Sequence, residues 1–213
     1  MVACLFRRPG HQAVSVLLGL AAGIMLVAAL HGLLLPAFEL GGPAQAVIGL
    51  ALGGALMGML AAALPRRASE RGMLLIAALT MHNVPEGLAV GLGFAAAGPE
   101  TGIQLAVAIG IQNVPEGLAA AAFMLPRGVK RRTAVGVGSA TGMVEPPAAF
   151  AALAASEQIE AGLPLALAFA AGAMLVVTIR DLIPASLALS RRRGATAIAA
   201  GGALLLVLDV GLG

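Results

Sequence analysis

The sequence predicts an all-helical, polytopic transmembrane helix bundle, and three observations carry that prediction. The first is composition. Of 213 residues, 60% are hydrophobic and only 11% are charged. A water-soluble domain of this length could not cover its surface with so few polar groups. The second is the length of the apolar stretches. A spanning helix needs roughly 20 apolar residues, and the chain offers seven such candidates. The third is sidedness, because twelve of the 13 Lys and Arg residues fall in alternate connectors. Abundant Ala and Gly suit this fold, since small residues let helix backbones approach in lipid. Trp and Tyr are absent, so the usual aromatic belt is missing.

The candidate helices run in order from the N-terminus. The first covers about 13–38, follows Arg7-Arg8 and stops before Gly41-Gly42-Pro43. The second, about 43–64, ends at Pro65-Arg66-Arg67. The third, about 72–97, follows Arg71 and ends at Gly98-Pro99-Glu100. The fourth, about 101–125, ends at Pro126-Arg127-Gly128. The fifth, about 133–155, follows Lys130-Arg131-Arg132 and ends before Gly162-Leu163-Pro164. The sixth, about 163–189, runs into Arg191-Arg192-Arg193, and the seventh, about 195–212, follows Gly194. Gly and Pro at these joints fit helix ends. No connector is long enough for a soluble domain, so residues 1–213 read as one transmembrane domain.

The other connectors carry Glu39, Glu100, Glu157 and Glu160 and no Lys or Arg. Positive-inside reasoning therefore places the N-terminus in the cytoplasm and the C-terminus outside. The net charge of +3 sits in short clusters at helix ends, which argues against a nucleic-acid partner. The single Cys4 excludes an intrachain disulfide and a Cys-based zinc site. Arg180 stands apart, inside the sixth helix. Val2 to Phe6 form an apolar scrap too short to span and unlike a cleaved signal peptide.

Chemistry concentrates in an eight-residue phrase that occurs twice, thirty residues apart. The copies are His82-Asn83-Val84-Pro85-Glu86-Gly87-Leu88-Ala89 and Gln112-Asn113-Val114-Pro115-Glu116-Gly117-Leu118-Ala119. A carboxylate in hydrocarbon is expensive and by default marks function. His82 and Glu86 are four apart and share a helix face, as do Gln112 and Glu116, with Asn83 and Asn113 on a neighbouring strip. Pro85 and Pro115 each remove a backbone donor, so a kink is expected in each copy. Gly87 and Gly117 remove bulk beside each carboxylate. Glu145, followed by Pro146-Pro147, repeats the theme of carboxylate plus kink. A buried pair that merely pins the bundle is the competing reading of His82 and Glu86. Buried ion pairs stabilise poorly, and the repetition counts against it. Met25 and His31 read as packing residues on their own, and Glu39 as a solvated charge.

With these residues in view, the chain resembles the ZIP family of divalent metal transporters, and its GufA-like bacterial branch in particular. The two Asn-Val-Pro-Glu-Gly copies carry most of the resemblance, and the branch has Gln where Gln112 stands. Weaker matches are Gly19–Leu26, Leu33–Glu39, Gly142–Pro146 and Ala168–Leu175. The resemblance implies eight helices, of which seven are present here, and a binuclear site at mid-membrane. It gives one metal His82, Glu86, Gln112 and Glu116, with Met25 nearby, and the other Asn83, Glu86, Asn113, Glu116 and Glu145. It also places Glu39 near the pathway entrance and reads Val2–Phe6 as the end of the family's first helix. Three departures stand out. That first helix is missing, Asn113 replaces the Asp of some relatives, and Arg180, Asp181 and Ala185 stand on an exit route where relatives are more acidic.

The expected function is transport of zinc or a related dication (cadmium, iron or manganese) towards the cytoplasm. The competing class is an intramembrane hydrolase that uses the same groups to activate a metal-bound water. The expected setting is a multi-pass protein of the bacterial inner membrane. Its partners would be divalent metal ions and the lipid bilayer, with a homodimer compatible with both.

Overall fold

The structure, a computed structural model, describes residues 10–63, 71–124, 128–156 and 162–212. Those residues form helices and short joints, with no strand among them. In chain order they are α1 His11–Val27, a π-helical stretch Ala28–Leu34, α2 Leu35–Ala63, α3 Arg71–Met124 and α4 Arg131–Ala140. A 3-10 turn Thr141–Val144, α5 Glu145–Ala155 and α6 Leu163–Val177 follow. A second π-helical stretch Thr178–Leu182, α7 Ile183–Leu189 and α8 Arg191–Leu212 complete the order. Val2–Phe6, Arg7, Arg8, Arg66, Arg67, Arg127, Glu157 and Glu160 lie outside the described residues. Among the described residues two stretches, His11–Leu60 and Leu163–Leu189, are long and apolar enough to cross a membrane.

Glycines followed by proline break the longest helices. Gly42 has φ 71 and ψ 178, and Gly98 has φ 84 and ψ −175. That backbone region is open essentially to Gly alone. The prolines that follow, Pro43 and Pro99, disfavour helical geometry in the residue before them and suit the first turn of the next helix. The break inside α3 therefore falls at Gly98. Helical dihedrals persist through Pro85 and Pro115, so neither proline ends its helix. Other prolines act differently. Pro36 and Pro184 each follow a π-helical stretch, where a missing amide donor lets the backbone register slip by one residue.

The expected fifth helix also differs. It divides into α4 and α5 around the 3-10 turn. Pro146 and Pro147 lie in the first turn of α5, so they begin a helix rather than bend one. Proline is well tolerated there, because first-turn amides have no intrahelical partner.

Glycines bring the helix backbones together. A Cβ at Gly53 of α2 would run into the Phe169 carbonyl of α6, and one at Gly172 of α6 into the Leu50 carbonyl of α2. Gly23 of α1 and Gly201 of α8 meet the Ile198 and Leu20 carbonyls in the same way. Gly87 and Gly91 of α3 face the Glu145 and Ala149 backbone of α5. Lipid provides no hydrophobic force between helices, so such close van der Waals contact holds the bundle together. The core between them is mostly small, with Ala22, Ala29, Ala89, Ala168 and Ala171 around Met25, Leu33, Ile109 and Leu167. Polar contacts add to it where α1 meets α7. Ser15 Oγ donates to the Ser186 carbonyl at 2.8 Å, and Ser186 Oγ returns a 2.8 Å bond to the Ser15 carbonyl.

Gly53→Ala should therefore destabilise the bundle by about 1–3 kcal/mol through overpacking. Gly136→Ala, where nothing lies within 4 Å of a new Cβ, should be neutral or mildly stabilising. Melting temperatures of the two purified variants check this, and equal values would refute the packing argument.

Candidate metal centre

The break at Gly98 turns α3 into a helical hairpin. Residues equidistant from the turn face each other: Gly102 against Phe94, Leu105 against Gly93, and Gln112 against Glu86. The repeated phrase thus runs up one arm and down the other. This register sets position 82 level with position 116. The thirty-residue spacing places each copy's first residue opposite the other copy's glutamate.

The side chains meet at close range. Gln112 Nε2 donates to Glu86 Oε1 at 2.5 Å, with both residues fully buried. Asn113 Nδ2 donates to Glu145 Oε2 at 2.7 Å, which ties the second arm to α5. Glu116 is 5% exposed and Asn83 3%. Glu116 and Glu145 both lie within electrostatic range of Glu86. Gly87 sits against the backbone of Glu145, and Gly117 against that of Gly138. Both glycines therefore serve helix contact, and the room beside the carboxylates follows from it.

Four buried oxygens here have no hydrogen-bond partner: Asn83 Oδ1, Glu86 Oε2, Gln112 Oε1 and Asn113 Oδ1. Buried polar atoms normally find a partner, and leaving one unmade costs about 1–3 kcal/mol. Hard oxygen donors clustered with carboxylates suit a divalent cation. A cavity of about 430 Å³ opens beside them, lined by Asn83, Asn113, Glu116, Thr141, Gly142 and Pro146. Among the described residues no three His, Cys, Asp or Glu side chains form a ready-made metal cage. The His82 side chain lies outside the described residues, and the remaining donors include amides.

The other sequence candidates lie on other helices. Met25 is fully buried in α1, and the hydroxyl of Thr178, which donates to the Met174 carbonyl at 2.8 Å, lies 3.7 Å from its Sδ. Thr178 escaped notice in the sequence, where a lone Thr in an apolar run carries no signal. His31 and Glu39 are both exposed and line a separate cavity of about 220 Å³ with Thr101 and Gln104. Arg180 is exposed in the second π-helical stretch, and its Nη1 donates to the Gly58 carbonyl at 3.4 Å. Asp181 and Ala185 are exposed beside it.

Residues 58–209 match the family model described as "ZIP Zinc transporter". Zinc transporter ZIP11 of Xenopus tropicalis is 44% identical over 163 residues, covering 70% of this chain and 48% of that protein. Zinc transporter GufA of Myxococcus xanthus is 42% identical over 142 residues, covering 66% of this chain and 56% of that protein. Zinc transporter ZIPB of Bordetella bronchiseptica is 35% identical over 145 residues, covering 68% and 47%. The chain spans about half the length of these relatives.

The Gln112–Glu86 bond gives a direct prediction. Hydrogen bonds to charged groups contribute about 1.5–3 kcal/mol, so Gln112→Leu should lose about that much in chelator-treated protein. Thermal melting in detergent measures it, and an unchanged melting temperature would mean the bond does not hold the hairpin.

Proposed function

From the premise that this chain belongs to the ZIP family of membrane transporters, we propose that it moves zinc, and related dications such as cadmium, iron and manganese, across the bacterial inner membrane towards the cytoplasm. The family is one of transporters rather than enzymes, which sets the hydrolase reading aside. The observation that supports the proposal most is the cluster of buried oxygens on the α3 hairpin and α5. Three carboxylates share that region with three primary amides, Asn83, Gln112 and Asn113, whose carbonyl oxygens are unmet. Several buried like charges are costly alone, and a dication among them offsets both desolvation and mutual repulsion.

In this reading one ion takes His82, Glu86, Gln112 and Glu116, with Met25 near, and a second takes Asn83, Asn113 and Glu145 with the same two repeat carboxylates. The amides have two tasks. Without an ion, their NH2 groups hold Glu86 and Glu145. With one, a half-turn of each amide presents its oxygen instead. Such ligands release an ion more readily than a closed thiolate cage, which suits transport. The site would face each side of the membrane in turn. The basic clusters set the cytoplasmic side, and the metal enters from the opposite one.

Uptake of zinc into proteoliposomes loaded with a zinc-sensitive dye tests the proposal. Glu86→Ala and Glu116→Ala should each reduce uptake to background while the protein still inserts. Normal uptake by both would remove the cluster from the pathway. Within the site, His82→Ala should weaken zinc binding more than Asn113→Ala, since imidazole is the better zinc ligand. Asn113→Asp should tighten the second ion by adding charge. Isothermal titration ranks the three, and equal affinities would contradict the ligand assignment.

A further inference from the structure

Gly142 lies in the 3-10 turn between α4 and α5, on the wall of the 430 Å³ cavity. Its backbone does not require glycine. Among the described residues φ is positive at Gly42, Gly98 and Gly128, and not at Gly142. What it does provide is space. A Cβ added there would stand 3.1 Å from Glu145 Oε1 and 3.7 Å from Asn83 Nδ2. Two side chains of the candidate metal centre therefore converge on the spot where any other residue would place its first side-chain atom.

Neither neighbour can retreat easily. Asn113 holds the second oxygen of Glu145 at 2.7 Å. The backbone of Glu145 packs closely on Gly87, so it has no room to yield towards α3. Asn83 is 3% exposed. The turn itself is pinned, because Thr141 is buried and its Oγ1 donates to the Gly138 carbonyl at 3.0 Å. A methyl group at position 142 would thus displace the Glu145 carboxylate by a few tenths of an ångström, at the expense of the volume beside Asn83.

The geometry points to Gly142 as a specificity-determining position: its missing side chain sets how far Glu145 and Asn83 can stand apart around a cation, and so the largest cation they hold. This rests on the reading of the cluster as a divalent-cation site. Discrimination between dications follows cavity size, ligand number and flexibility. Zinc, with oxygen ligands at about 2.0–2.2 Å, needs less room than cadmium, whose bonds are longer. Narrowing the cavity should therefore penalise cadmium first.

The test is initial uptake of zinc and of cadmium, measured separately, into proteoliposomes of wild type, Gly142→Ala and the double variant Gly142→Ala/Glu145→Asp. Gly142→Ala should keep zinc uptake within about twofold and lower the cadmium-to-zinc ratio roughly tenfold, equivalent to about 1.4 kcal/mol. Glu145→Asp withdraws the carboxylate by one methylene, so the double variant should regain much of the ratio. Ala favours helical geometry over Gly, so insertion should survive. Thermal shifts with each metal on purified variants read the same discrimination independently of yield. A ratio unmoved by Gly142→Ala, or not recovered in the double variant, overturns the inference. If wild type and Glu86→Ala take up zinc equally, the reading of the cluster as the cation site has failed instead.

Discussion

A carboxylate removed from water costs several kcal/mol unless something answers its charge, and at Glu86 the first answer comes from Gln112 across the α3 hairpin. The rest of the centre depends on that contact. It requires the two arms of α3 to run antiparallel in one register, and Gly98 followed by Pro99 makes the turn that sets it. It also requires a helix partner close enough to bring Glu145, and Gly87 allows α5 to touch α3 backbone to backbone. The charge problem and the packing are thus solved together. Shifting the hairpin by one residue would take Gln112 off Glu86 and leave a buried carboxylate unanswered.

The same economy runs through the bundle. Glycines draw α2 to α6 and α1 to α8, and the paired serines fasten α1 to α7. These contacts lie away from the metal centre and offer it a rigid frame. The π-helical stretches before Pro36 and Pro184 interrupt that frame at two places. One carries His31 beside the smaller cavity, and the other carries Arg180 and its link to Gly58. Such interruptions are common at functional sites, because they redirect side chains without ending the helix.

Much of the centre was legible in the sequence, and the reason is chemical. Carboxylates and amides repeated inside apolar stretches have few structural explanations, so Glu86, Gln112, Asn113 and Glu116 stood out. The breaks at Gly42 and Gly98 were legible from the Gly-Pro pairs. Other features depended on tertiary register. The facing of Glu86 by Gln112 follows only once the hairpin turn is fixed at Gly98. The 3-10 turn before Glu145 has no clear sequence signature, and Pro146-Pro147 read equally well as a kink or a helix start. Thr178 gains meaning only because α1 and α6 bring it to Met25. Arg180, read as a charge on an exit route or at the interface, is exposed and reaches the α2 backbone.

The central claim is that the buried oxygens of the α3 hairpin and α5 coordinate zinc. Anomalous diffraction at the zinc edge, from crystals of the protein grown with zinc, tests it most directly. The account predicts anomalous density between Glu86, Gln112 and Glu116, with a second peak towards Asn113 and Glu145, and the loss of both in Glu86→Ala. Zinc density confined to the exposed His31 and Glu39 cavity or to surface residues, with none at the hairpin, would contradict it.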